Sequence, residues 1–134
     1  MKRFFAVLIA TAIIMSFAAC SAVDDNADKD KLSVYYINSE AYESGGDYIE
    51  AYDYYLSDNE DMINNALDYL SRPPADSGLQ TSLVKGTTIY SYELENRVID
   101  VNLSPAYLLL TELEKATVKC CLTLTLCGIS EVEY

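Results

Sequence analysis

TTIYSYELENRVIDVNLSPAYLLLTELEKATVKCCLTLTLCG, residues 87–128, holds the change of period on which the fold turns. Thr87 to Leu94 and Val98 to Leu103 are β-rich runs on either side of Glu95-Asn96-Arg97. Asn tolerates positive φ, so a tight hairpin is expected there. In the second run Ile99, Val101 and Leu103 share one face, and Asp100 and Asn102 the other. Ser104-Pro105 then offers a capping hydroxyl followed by Pro at the first helical position. Leu110, Leu113, Thr117, Cys120, Leu124 and Cys127 follow at alternating steps of three and four, which predicts one helix with this stripe buried. Gly128 sits where a helix-ending glycine belongs.

Upstream, Leu32 to Ile37 (LSVYYI) reads as a strand, Asn38 to Asp47 as a loop containing Gly45-Gly46, and Tyr48 to Leu56 as a second, Tyr-rich strand. Ser57-Asp58-Asn59-Glu60 fits a capping box. Met62, Ile63, Ala66, Leu67 and Leu70 have helical spacing, so a helix is expected over Asp58 to Leu70, stopped by Arg72-Pro73-Pro74. Ala75 to Gly86 is expected as a loop, and Ile129 to Tyr134 as another extended piece. The order β, β, α, β, β, α, short β predicts an α+β domain with helices against a sheet.

The N-terminus has a different character. Met1-Lys2-Arg3 precedes an uncharged run of 14 residues, Phe4 to Phe17. As a helix that run spans about 21 Å, short of a hydrocarbon core of about 30 Å, so it fits a signal-peptide core. Phe17-Ala18-Ala19-Cys20 resembles the lipobox of bacterial lipoproteins. What that resemblance implies is cleavage after residue 19, diacylglycerol (palmitate among its acyl groups) on the Cys20 thiol, and anchorage on the outer face of the cell membrane. Loss of Lys2 and Arg3 with the leader leaves 7 basic against 21 acidic groups, or −14. A body so charged is repelled by anionic lipid, so acyl chains would have to hold it. Residues 20–31 read as an acylated Cys and a flexible acidic tether, and residues 32–134 as the folded domain. Asp24, Asn26 and Asp28 look like a calcium loop, but Lys29 stands where the turn needs Gly and Tyr35 where a bidentate Glu is needed.

Composition narrows the function. The excess of acid argues against nucleic-acid partners. The chain has no His, which removes Ser-His-Asp and Cys-His catalysis and the usual zinc sites. Cys120 and Cys127 lie about 10.5 Å apart along a helix, too far for a disulfide, which needs Cα atoms within about 7 Å. Core packing is expected for Cys120, Cys121 and Cys127, with no metal site. The carboxylate groups Asp58 with Glu60 and Asp61, Glu93 with Glu95, and Glu112 with Glu114 fall on a helix start, a hairpin and an exposed face, which suits solvated surface better than acid-base catalysis. The outstanding feature is seven tyrosines in 21 residues: Tyr35, Tyr36, Tyr42, Tyr48, Tyr52, Tyr54 and Tyr55. In a strand, Tyr48, Glu50, Tyr52 and Tyr54 share a face. Tyr48, Tyr52 and Tyr54 are therefore the candidate partner-binding residues, for a protein surface or a sugar.

Several segments carry a likeness when taken in order: Ser33-Val34-Tyr35-Tyr36, the helix ending at Arg72-Pro73, Ser77 to Leu83 (SGLQTSL), Lys85-Gly86-Thr87, Val101-Asn102-Leu103-Ser104, and Thr123 to Leu126 (TLTL). Together, behind a lipobox, they resemble the GerMN domain of sporulation and spore-germination lipoproteins. That resemblance implies a small mixed βαββαβ sheet with two helices on one face, like the ring-building modules of secretion assemblies, its last strand truncated at Tyr134. It also implies a non-catalytic extracytoplasmic domain without cofactors, binding envelope or sporulation proteins. The alternative is a module that binds peptidoglycan glycan. A carboxylate hydrolase is the poorest of the three.

Overall fold

The computed structural model describes residues 29–57 and 60–132. The leader, Cys20 and most of the tether lie outside the described residues, as do Glu133 and Tyr134.

β1 (Lys29–Ile37) pairs antiparallel with β2 (Ile49–Ser57), Val34 opposite Tyr52 and Tyr36 opposite Glu50. Strand alternation buries Leu32, Val34 and Tyr36 and leaves Lys31 on the other face. The connection, expected as a plain loop, contains a short helix α1 (Ser39–Glu43), whose first turn is closed by Ala41 N–H donating to the Asn38 side chain at 2.9 Å. Gly45 adopts φ +89°. A Cβ on Gly46 would stand 3.1 Å from the Ala41 carbonyl oxygen. Asn38 N–H donates to the Tyr48 carbonyl at 2.8 Å and closes the loop.

α2 (Met62–Ser71) buries Ile63, Ala66, Leu67 and Leu70, the expected apolar face. Its cap is Asp61, which accepts from Asn64 N–H at 2.9 Å, rather than the expected Ser57. Ser57 is consumed as the last residue of β2, with its carbonyl 3.2 Å from Glu60 N. The chain beyond Pro73 returns to β1, where Gln80 exchanges two backbone hydrogen bonds with Ile37 at 2.9 and 2.8 Å. The Thr81 hydroxyl donates to the Leu70 carbonyl at 2.6 Å, satisfying a group the helix end leaves open.

β3 (Ile89–Glu95) and β4 (Val98–Leu103) form the expected hairpin. Asn96 and Arg97 both take positive φ, 52° and 69°, the signature of a two-residue type I′ turn. The long helix expected from Ser104 is in fact two pieces. A 3₁₀ turn (Pro105–Leu109) comes first, Leu110 is extended, and α3 (Glu112–Leu126) starts afresh from Thr111. The Ser104 hydroxyl is not a cap; it accepts from Thr88 N–H across the hairpin base at 3.0 Å. The restart changes which side of the helix is inside. The buried residues are Thr117, Val118, Cys121, Leu122, Thr125 and Leu126, while Leu113, Cys120 and Leu124, members of the expected buried stripe, are exposed. Ile129 to Val132, expected to be extended, instead turns, with backbone bonds from Ile129 N to Leu126 O and Val132 N to Ile129 O, both 3.0 Å; Ile129 and Val132 are buried.

The α+β class stands. The strands make two separate antiparallel pairs rather than one mixed sheet. The outer edge of β1 explains why. Tyr35 N–H donates to the Thr125 hydroxyl of α3 at 3.0 Å and Ile37 is taken by Gln80, so that edge is closed to a third strand. α2 and α3 both pack against β1 and against each other. The β3–β4 hairpin adds Ile89, Tyr92, Ile99, Val101 and Leu103, partly buried, to the same core.

Candidate functional site

The Tyr-rich face of β2 runs out of the core and into solvent. Leu56 is buried, Tyr54 half-buried, and Tyr52 and Tyr48 are 39% and 37% exposed. The three candidate tyrosines therefore divide. Tyr54 is held inside a ring stack: it lies face to face with Tyr69 of α2, centroids 4.0 Å apart, and its hydroxyl is 3.0 Å from that of Tyr36. Tyr36 in turn donates to the Tyr69 carbonyl at 2.8 Å. Burial pushes both phenols, Tyr36 and Tyr54, above the ordinary tyrosine range, which keeps them protonated and able to donate. Tyr52 extends the stack outward, tilted against Tyr54 at 5.0 Å. Tyr48 lies apart from it, edge-on to Tyr42 of α1 at 5.4 Å. Glu50 sits between Tyr48 and Tyr52 along the strand and accepts from the Asn38 amide.

Tyr42 and α1 are the addition that the sequence did not disclose. The Asn38-Ser39-Glu40 start was a cap signal, but a helix of five residues is too short to show a period. On the opposite face of the hairpin, Asp53 accepts from the Ser33 hydroxyl at 2.7 Å and pairs with Lys31 at 2.9 Å. Those two contacts, Ser33 first, hold its carboxyl below the usual carboxylate range.

A second concave feature lies between β4 and α3. It is an open apolar groove of about 620 Å³, lined by Ile99, Val101 and Leu103 on one side and Leu122 and Leu126 on the other, with Lys119 among its lining residues. The ammonium group of Lys119 has no carboxylate partner among the described residues, whereas Lys31, Arg72, Lys85 and Lys115 are all ion-paired.

The three thiols differ. Cys121 is buried and its thiol is pushed up to about 11 by burial. Cys127 is half-buried, and Cys120, expected in the core, is exposed because the register of α3 turns it outward. All three are free. Of the carboxylates singled out, Glu112 pairs with Lys115 at 3.0 Å and Glu114 with Lys85 at 2.6 Å. Glu93 and Glu95 lie exposed on β3. Among the described residues no group of Cys, Asp and Glu is placed to hold a metal ion, and no helix is long and apolar enough to cross a membrane.

A family model described as Germane, sporulation and spore germination, matches residues 33–134. The chain belongs to this family. The match begins in β1 and takes in every element described above from there on, so both tyrosine-bearing strands, the groove and α3 are parts of the Germane domain. Germane membership supports a role in sporulation or germination. No curated protein and no solved structure was found to match the chain.

Proposed function

We propose that this chain is a membrane-anchored, extracytoplasmic lipoprotein whose Germane domain serves spore formation or germination by binding other envelope proteins rather than by catalysis. The observation that carries the binding role is the exposed end of the β1–β2 hairpin. Tyr42, Tyr48 and Tyr52 present rigid, amphipathic rings to solvent there, around Glu50. Such rings give large contact area at low entropic cost, and Tyr is enriched in interfaces. β2 has a strand on one side only among the described residues, so its other edge offers backbone groups to a partner's strand. The anchor rests on the leader and on Cys20 behind its small residues. The net charge of −12 supports a protein or neutral glycan partner over nucleic acid.

In the native host, a strain lacking the gene is complemented with the wild-type gene or with one encoding Tyr48→Ala and Tyr52→Ala. Normal protein levels with impaired sporulation or germination are expected for the double variant. Full complementation by it would remove the hairpin end from the function.

Peptidoglycan glycan is the second candidate partner, favoured by the half-exposed rings of Tyr48 and Tyr52, which suit stacking on a sugar. Retention on insoluble peptidoglycan that saturates, and is lost in the same double variant, supports it; unsaturable or variant-independent retention contradicts it. Tyr54 is left intact in both tests because its ring is part of the core stack.

A further inference from the structure

Half of the stripe that the sequence marks at steps of three and four, Leu113, Cys120 and Leu124, is left unused by the monomer. Leu113 and Leu124 are 76% and 42% exposed, and Ala116, Cys120 and Thr123 lie exposed between them. Just ahead, Leu108 and Leu109 stand 74% and 86% exposed in the 3₁₀ turn. α3 is thus apolar on two sides, one spent on β1 and the core, the other open. A second apolar stripe on a helix that also carries Glu112, Lys115 and Lys119 is a face to be covered.

We infer that the outer face of α3 is covered by α3 of a second copy of this chain, packed antiparallel about a two-fold axis at Cys120. Three properties of the face select a second copy. The positions Leu113, Ala116, Cys120, Leu124 and Cys127, exposed but for the half-buried Cys127, follow at steps of three, four, four and three, a mean of the 3.5-residue period of a helix–helix seam. The spacing is also self-complementary about Cys120, as a two-fold interface requires. Reversal about that point sets the large Leu113 against the small Cys127, the large Leu124 against the small Ala116, and Cys120 against itself. Finally, residues 115–130 contain no acidic residue, in a chain whose formal net charge is −12. Two copies of so acidic a body repel one another at most surfaces, and this face is where that repulsion is least. Lys119, one residue from Cys120 and so about 100° around the helix, stands outside the seam over the β4 groove. The seam spans about 21 Å from Leu113 to Cys127, small beside a standard interface of about 800 Å² per partner, so a reversible dimer is expected. It does not depend on Cys20 or on the tyrosine surface.

The test uses the full chain in isolated membranes, treated with a short bismaleimide. Each thiol adds across one maleimide double bond, so no oxidant is needed. The expected product is a species of twice the mass that persists in Cys127→Ser and is lost in Cys120→Ser. Leu124→Glu alone and Ala116→Lys alone should each cut its yield at least fivefold. The double variant should restore it, because antiparallel packing brings position 116 of one copy to position 124 of the other. Parallel packing, with 124 against 124, gives no rescue. Both substitutions are on exposed positions, and unchanged thermal melting would show that the fold is intact. No Cys120 product, a product indifferent to Leu124→Glu, or a double variant no better than the singles would each overturn the dimer.

Discussion

Tyr36 has no solvent-exposed surface, and its hydroxyl links three elements: β1 by its own backbone, β2 through the Tyr54 hydroxyl and α2 through the Tyr69 carbonyl. The Tyr69 carbonyl also accepts from Arg72 N–H at 2.9 Å, so it keeps a donor without Tyr36, and deleting the Tyr36 hydroxyl removes two hydrogen bonds, together about 1–3 kcal/mol net. Tyr36→Phe should therefore lower the unfolding free energy by about that amount in urea titrations, with Tyr54→Phe costing less because Tyr54 is half-buried. An equal loss in both would mean that the Tyr69 carbonyl is not the decisive acceptor. The thiols make a second prediction at this scale. With Cys121 raised to about 11 and enclosed, and Cys120 open, dilute folded protein should react with maleimide at Cys120 first and at Cys121 only on unfolding. Peptide mapping of the labelled sites measures this; early modification of Cys121 would contradict its burial.

At the scale of elements, α3 owes its starting point to Thr111. The hydroxyl accepts from Glu114 N–H at 3.3 Å, and the Glu114 carboxylate accepts from Thr111 N–H at 2.9 Å, a reciprocal capping box. Thr111→Ala should cost about 1 kcal/mol in thermal or urea unfolding; no measurable loss would mean that the helix starts elsewhere. Lys85 first, and then Thr111, pull the Glu114 carboxyl down to about 2. A carboxyl depressed in the folded state adds stability that is present above its unfolded value and lost as pH falls through the folded one. The contribution should accordingly fade between about pH 4.5 and about pH 2. Lys85→Met should flatten that part of the stability–pH curve, and an unchanged curve would exclude the pair as its source.

The same elements show what the sequence made legible. Period-2 and period-3.6 patterns located β1 to β4 and α2, because each of these elements puts one face into the core. Ser57 and Ser104 were both credited as caps, and neither side chain is one. Ser104 is used in pairing with Thr88, sixteen residues away, a partnership invisible to local pattern. Thr111-Glu112-Leu113-Glu114 was a capping box in plain view, hidden by the assumption of one continuous helix. That assumption also carried the burial register one residue too far round, so Leu113, Cys120 and Leu124, expected inside, are found outside, while Leu110 and Thr117 are buried as expected. Of the candidate tyrosines, alternation set Tyr52 and Tyr54 side by side, as their ring contact shows, while Tyr48 lies just before β2 against Tyr42, and the pattern gave no warning that Tyr69 from α2 would cover Tyr54.

At the scale of the whole molecule, charge dominates. A chain at −12 has few faces on which it can meet its own copies, and screening should help it to do so. Raising salt from low to physiological strength should therefore increase self-association in light scattering of the detergent-solubilised full chain; a decrease would point to attractive ion pairs at the contact instead. The proposed placement outside the cell rests on the sequence of the first twenty residues, and it can be tested there. The most direct measurement is mass spectrometry of the N-terminal peptide from the membrane fraction of the native host. A peptide beginning at Cys20 and carrying acyl groups on its sulfur is the predicted result, shifted to the unprocessed form by Cys20→Ser. An unacylated chain that keeps residues 1–19 and sediments with the cytosol would contradict it.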